Sequence, residues 1–183
     1  MKFKVLIGAI AVSLFAVPMS ASADSMYLKV SGNMQGPFKG GISQKGHENQ
    51  IKVLEYSYQV VSPRDMASGL PTGKRMHKPF VITMELDKAS PQLFNAIVNN
   101  ETCTVELQLW RPQMKSMGTG MEVEAMTIQL TNAGISSYAL KTVEGPAGKT
   151  PTTVVEVSFT FQKITMTWVD GGITGMDDWA SRA

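Results

Sequence analysis

The chain has 183 residues, 43% of them apolar, which is enough to close one hydrophobic core and makes a single domain the expectation. Only 17% are charged, with 17 lysines and arginines against 15 aspartates and glutamates. That balance excludes a charged disordered tail and a highly charged helical bundle, and with Gly 16 and Pro 9 it points to a β-rich globule.

Residues 1–23 read as a secretory signal. Lys2 and Lys4 precede an apolar run from Val5 to Val17, a helix-breaking Pro18, and Ala21-Ser22-Ala23, whose small residues suit cleavage before Asp24. The run is shorter than the roughly 20 residues a helix needs to span a bilayer, so a cleaved signal is expected rather than an anchor, and a secreted protein rather than one stably inserted in a membrane. Cleavage removes two lysines and no acid, leaving 15 basic and 15 acidic residues. A neutral chain with no cluster of Lys and Arg interleaved with aromatics has no general attraction for phosphate, so nucleic acid is not expected as a partner.

The first strand runs from Tyr27 to Ser31, and Gly32, Gly36, Pro37, Gly40 and Gly41 then force a turning connection. A second strand, Ile51 to Val61, carries Ile51 and Val53 on one face and Leu54, Tyr56, Tyr58 and Val60 on the other, a pattern that predicts burial on both sides. Ser62 to Lys78 holds Pro63, Gly69, Pro71 and Gly73. It is far longer than the about two to five residues usual in a hairpin, which marks it as a loop with a task. Phe80, Ile82, Met84 and Leu86 then alternate as one apolar face of a strand.

At Ser90-Pro91 the period changes. A capping serine followed by proline at the first helical position precedes Leu93, Phe94, Ile97 and Val98 at helical spacing, up to Asn99-Asn100. Cys103 to Trp110, Glu122 to Thr131 and Ile135 to Thr142 follow as strands. In the last region, Thr152 to Val169, the apolar positions run Val155, Val157, Phe159, Phe161 and then Ile164, Met166, Trp168. The slip by one residue predicts a bulge or bend near Gln162-Lys163, so that one long strand turns a corner. Residues 24–169 therefore form the β domain and 170–183 a Gly-containing tail.

Residues that could carry chemistry are few, and none forms a convincing catalytic, metal or cofactor site. Cys103, the single cysteine, can form no intramolecular disulfide and alternates with Val105 and Leu107, so it reads as a small buried side chain. His47 and His77 lack metal-ligand spacing and read as solvated loop histidines. Gly145 to Thr150 ends like a phosphate-binding loop, but Val143 stands where its first glycine is required. Asn100-Glu101-Thr102 fits a glycosylation sequon that nothing else supports, and Asp177 and Asp178 read as a solvated end.

Met26-Tyr27-Leu28-Lys29-Val30 resembles the opening of the hemolysin-coregulated protein (Hcp) family. Lys45-Gly46-His47 before Ile51 to Tyr58 is similar to the second strand of that family, and Asp87 to Phe94 resembles its characteristic entry into a single helix. Val154 to Phe159 and Lys163-Ile164 are similar to its final strand pair, so the likeness spans about Met26 to Trp179.

The resemblance implies a mainly β fold, a small β-barrel of two packed antiparallel sheets with one short α-helix at its side. It implies a non-enzymatic tube subunit of type VI secretion without cofactors, in which six copies close into a ring and rings stack into an ejected tube. The expected partners are further copies of the chain, with Ser62 to Lys78 as the candidate contact to the next ring, and the spike, sheath and effector proteins. Such subunits ordinarily assemble in the cytoplasm without a cleavable signal. Residues 1–23 depart from that pattern, and translation from Met26 would restore it. The competing readings are an exported monomeric β-barrel binding protein with a pocket, an outer-membrane barrel that the helix and proline-rich loops fit poorly, and an enzyme of undetected type.

Overall fold

The computed structural model describes residues 24–113, 121–144 and 150–180. The expected signal segment and most of the Gly145 to Thr150 decoy lie outside the described residues. Strands β1 (Ser25–Gly32), β3 (Ile51–Ser57), β6 (Phe80–Glu85), β7 (Cys103–Gln113), β8 (Met121–Val143) and β9 (Thr152–Thr160) pair in the order β8-β7-β1-β3-β6-β9, and β9 returns to β8. The sheet thus closes on itself as an antiparallel barrel. Strands β10 (Lys163–Trp168) and β11 (Ile173–Asp178) extend it outward from β8, and the short β2 (Gly36–Pro37) caps β1. A separate two-stranded sheet joins β4 (Val60–Val61) to β5 (Met76–His77).

The barrel interior is filled by side chains. Leu28, Ile51, Phe80, Ile82, Met84, Val105, Leu107, Ile128, Leu130, Val157 and Phe159 all belong to one buried cluster, so opposite walls pack directly against each other. The single described helix, α1 (Ser90–Val98), lies against β8 and inserts Leu93 and Ala96 into the same cluster. It begins one residue earlier than the sequence suggests. Ala89 is the N-cap, and Ser90 is buried in the first turn, where its hydroxyl accepts from the Asp87 amide at 3.1 Å while Asp87 Oδ1 accepts from Ala89 N at 2.9 Å.

The second strand is shorter than expected and is not buried on both sides. Its register with β6 shifts between Val53 and Glu55. This bulge turns Leu54 to solvent and brings Tyr56 and Tyr58 onto the side already used by Ile51 and Val53. The apparent second apolar face is therefore the first face continued past an extra residue.

The predicted corner lies where expected. β9 and β10 run along the same edge of β8, β9 beside Gly134–Val143 and β10 beside Met126–Thr131, with Phe161 and Gln162 between them. β8 bends with them instead of breaking into two strands, and Asn132 takes the left-handed conformation at φ 50°. Asn132 Nδ2 donates to Gln162 Oε1 at 2.7 Å, tying the two bends together.

Residues 173–178 correct the expectation of a solvated end. They pair with β10 from Lys163↔Asp178 to Trp168↔Ile173, through a turn in which Gly171 and Gly172 hold φ 83° and 65°.

Candidate functional site

Ser62 to Lys78 is a projecting hairpin arm. Val60↔His77 and Val61↔Met76 pair at its base, Arg64↔Pro71 bridge further out, and Thr72 N donates to Pro63 O at 3.0 Å. At the tip Asp65 Oδ1 accepts from Ser68 N at 2.7 Å and from the Ser68 hydroxyl at 2.8 Å, and these bonds hold its carboxyl below the usual range. Met66 and Leu70 stand exposed on this tip. Nothing in the hydrophobic core requires such a structure.

The arm is tied to the barrel at its base. Tyr58, just before β4, meets His77 Nδ1 at 2.5 Å, and His77 Nε2 meets Asp177 Oδ2 of β11 at 2.6 Å. The tautomer with the proton on Nε2 satisfies both, since Tyr58 then donates to Nδ1 and Nε2 donates to the carboxylate. Arg75 grips both oxygens of Asp177 in a bidentate pair, and its Nη2 donates to Asp178 O at 3.3 Å. The Arg75 hydrogen bonds, with a smaller contribution from His77, pull the Asp177 carboxyl down to about 2. Burial, with Asp177 nearby, pushes the Tyr58 hydroxyl up.

Phe161 packs edge-on to the His77 ring at 5.6 Å, and Trp179 packs on it at 5.0 Å. His77 is thus a nearly buried element of the arm's base, which corrects its reading as a solvated histidine. His47 needs the same correction. It is 4% exposed, stacks on Tyr27 at 3.9 Å and meets the edge of Trp110 at 4.6 Å. Cys103 is buried as expected, and burial, with Glu101 nearby, pushes its thiol up to about 11, far from a reactive thiolate.

Glu101 has a role that its sequence context hides. It is 2% exposed, and its Oε1 accepts from Met34 N at 2.6 Å and Gln35 N at 2.8 Å, while Oε2 accepts from Gln35 Nε2 at 2.6 Å. Burial pushes this carboxyl up, but the bonds from Gln35 and Met34 outweigh it, and the net shift is downward. The residue pins the β1–β2 turn to the segment after α1. A Cβ on Gly32 would lie 2.1 Å from Glu101 Oε1, so the turn can close over the carboxylate only with glycine there.

Two apolar patches lie on either side of the corner at Asn132, one beside α1 and the other on the β10–β11 hairpin. Leu86, Phe94 and Leu140 are exposed beside α1, Phe94 to 52%, and with Pro91 and Tyr138 they line an open groove of about 690 Å³. On the β10–β11 hairpin, Trp168 and its pair Ile173 share one exposed face, Ile173 to 71%, with Val169 exposed at the turn beside them, while Met176, opposite Thr165, is exposed on the other face. The outer edge of β11 has no partner strand among the described residues. Among the described residues no group of His, Cys, Asp and Glu has metal-binding geometry, and no helix is long and apolar enough to cross a membrane.

A closed β-barrel whose interior is filled by side chains, with one helix at its side and a hairpin arm, defines the class: a small packed barrel without an internal cavity among the described residues. Residues 27–168 match the sequence model of the family described as "Type VI secretion system effector, Hcp". The "Major exported protein" of Pseudomonas aeruginosa is 36% identical over 172 residues, covering 87% of this chain and 97% of that protein. Among solved structures, one described as the crystal structure of an Hcp protein superposes with a TM-score of 0.77 at 30% identity, over 87% of this chain and all of that one. The secreted protein Hcp3 of Pseudomonas aeruginosa gives 0.69 at 30% identity, over 87% of this chain and all of that one. The chain belongs to the Hcp family of the type VI secretion system.

Proposed function

We propose that this protein is the non-enzymatic tube subunit of a type VI secretion system, closing into six-membered rings that stack axially, accommodate effectors and pass out of the cell with the tube. The observation that carries this reading is the pair of unlike apolar faces, one beside α1 and one on the β10–β11 hairpin. A contact between two different faces of the same molecule is heterologous, and such contacts make rings when the rotation closes. The arm from Ser62 to Lys78, with Met66 and Leu70 at its tip, supplies the contact to the next ring. The neutral balance of the chain after residue 23 removes net repulsion between many identical copies brought close together.

The competing reading, an exported monomeric barrel that binds a ligand, fits less well because the barrel interior is packed with side chains. Introducing Phe94→Lys on one face and Ile173→Lys on the other tests the ring. Each variant is expected to sediment as a folded monomer. Rings persisting at full yield in both would exclude these faces from the contact.

A further inference from the structure

The arm has no stabilising core of its own. Its two strands of two residues each pair with one another and not with the barrel, and short isolated hairpins are at best marginally stable in water. Yet a contact that must meet another ring in a fixed geometry needs a fixed direction, because each loosely held segment adds ordering entropy to the cost of association.

The residues that supply rigidity lie about a hundred positions away. Gln162 at the barrel's corner accepts from Asn132 Nδ2 at 2.7 Å, and its carbonyl accepts from Trp179 N at 3.0 Å. The segment so anchored presents Asp177 to both Arg75 and His77 at the base of the arm, and Trp179 covers the His77 ring. The chain of contacts runs from the barrel corner, through β11, into the arm.

We infer that Asp177 is the positioning residue that fixes the direction of the arm for axial stacking, with the β10–β11 hairpin serving as the strut that carries it. This rests on the reading of the arm as the contact between rings. Charge, and not shape alone, does the holding. A neutral amide at position 177 keeps the outline of the side chain but loses the bidentate charge-assisted pair with Arg75 and one of the two acceptor oxygens. The low position of the Asp177 carboxyl is the expected companion of such a pair.

Asp177→Asn and Arg75→Gln approach the clamp from its two sides, and Arg75 lies outside the barrel wall. Hydrogen exchange on unassembled rings reads the arm through the amides of Asp65, Thr72 and Lys78, which donate to Leu70, Pro63 and Gln59. In either variant these amides are expected to exchange about tenfold faster or more, the factor that corresponds to about 1.4 kcal/mol, while barrel amides in β6 and β9 keep their protection. Raising salt from about 0.05 M to 1 M is expected to loosen the arm of the parent protein and to leave that of Asp177→Asn unchanged. The yield of stacked tubes per ring, counted in electron micrographs, is expected to fall at least about tenfold in both variants.

Arm amides as protected in both variants as in the parent would overturn the clamp. Loosened arms with tube yield unaltered would overturn its role in stacking. A deletion of Ser68 to Lys74 separates the two ideas. If that variant stacks as before, the arm is not the inter-ring contact, and the exchange data alone then decide whether Asp177 orders it.

Discussion

Glu101 illustrates how a single side chain can carry a local fold. Its carboxylate is buried and accepts three hydrogen bonds from the partly exposed β1–β2 turn. Replacing it with alanine leaves the Met34 and Gln35 amides without a partner, while Gln35 Nε2 keeps Gln92 O, and Glu101→Ala is expected to lower stability by about 1–3 kcal/mol in urea titration, with Glu101→Gln costing less. Both Glu101 and Asp177 have folded-state carboxyls below their ordinary values, Asp177 at about 2. The unfolded chain therefore binds protons at a higher pH than the folded one does. The stability these groups supply is complete above about pH 4–5 and is lost as pH falls through the ordinary carboxylate range toward 2. For Asp177, whose side chain is 26% exposed and whose partner Arg75 is partly exposed, about 1 kcal/mol remains after solvent screening. The urea midpoint should drop between pH 6 and pH 3, and the drop should be smaller in Asp177→Asn. An equal drop in both would remove Asp177 from the account. None of this could be read from the sequence, where Glu101 stands in a sequon-like triplet and Asp177 in a glycine-containing end; their roles depend on partners 66 and 102 positions away.

At the scale of elements, what sequence periodicity conveys is the identity of long, strongly patterned segments. The alternation of Phe80, Ile82 and Met84, the Ser90-Pro91 helix start and the slip at Gln162-Lys163 each correspond to a feature of the structure. Two features were hidden for physical reasons. The bulge at Leu54 adds one residue to one strand of a pair, so a one-faced strand mimics a two-faced one. β11 has Gly175 in its middle and exposed side chains on most of its length, and its formation depends on the waiting edge of β10. Asn132 holds φ 50° at the bend of β8, so Asn132→Val, whose β-branched side chain tolerates that region poorly, is expected to cost about 1–3 kcal/mol and to shift the melting midpoint downward. An unchanged midpoint would mean that the corner relaxes without it.

For the whole molecule, the core accounts for the fold but leaves the arm, the groove beside α1 and the exposed hairpin unexplained. The proposed assembly would give each of them a purpose. The family and the barrel were legible in the chain because the opening strand and helix entry carry specific residues, whereas the exposed apolar patches were not, since exposed apolar residues on strands look like core residues in sequence. The most direct test is the solution mass of residues 24–183 by light scattering, with electron micrographs of the same sample. A mass six times that of one chain is expected, with ring-shaped particles that associate end to end as concentration rises. A monomer at every concentration, without rings, would contradict it.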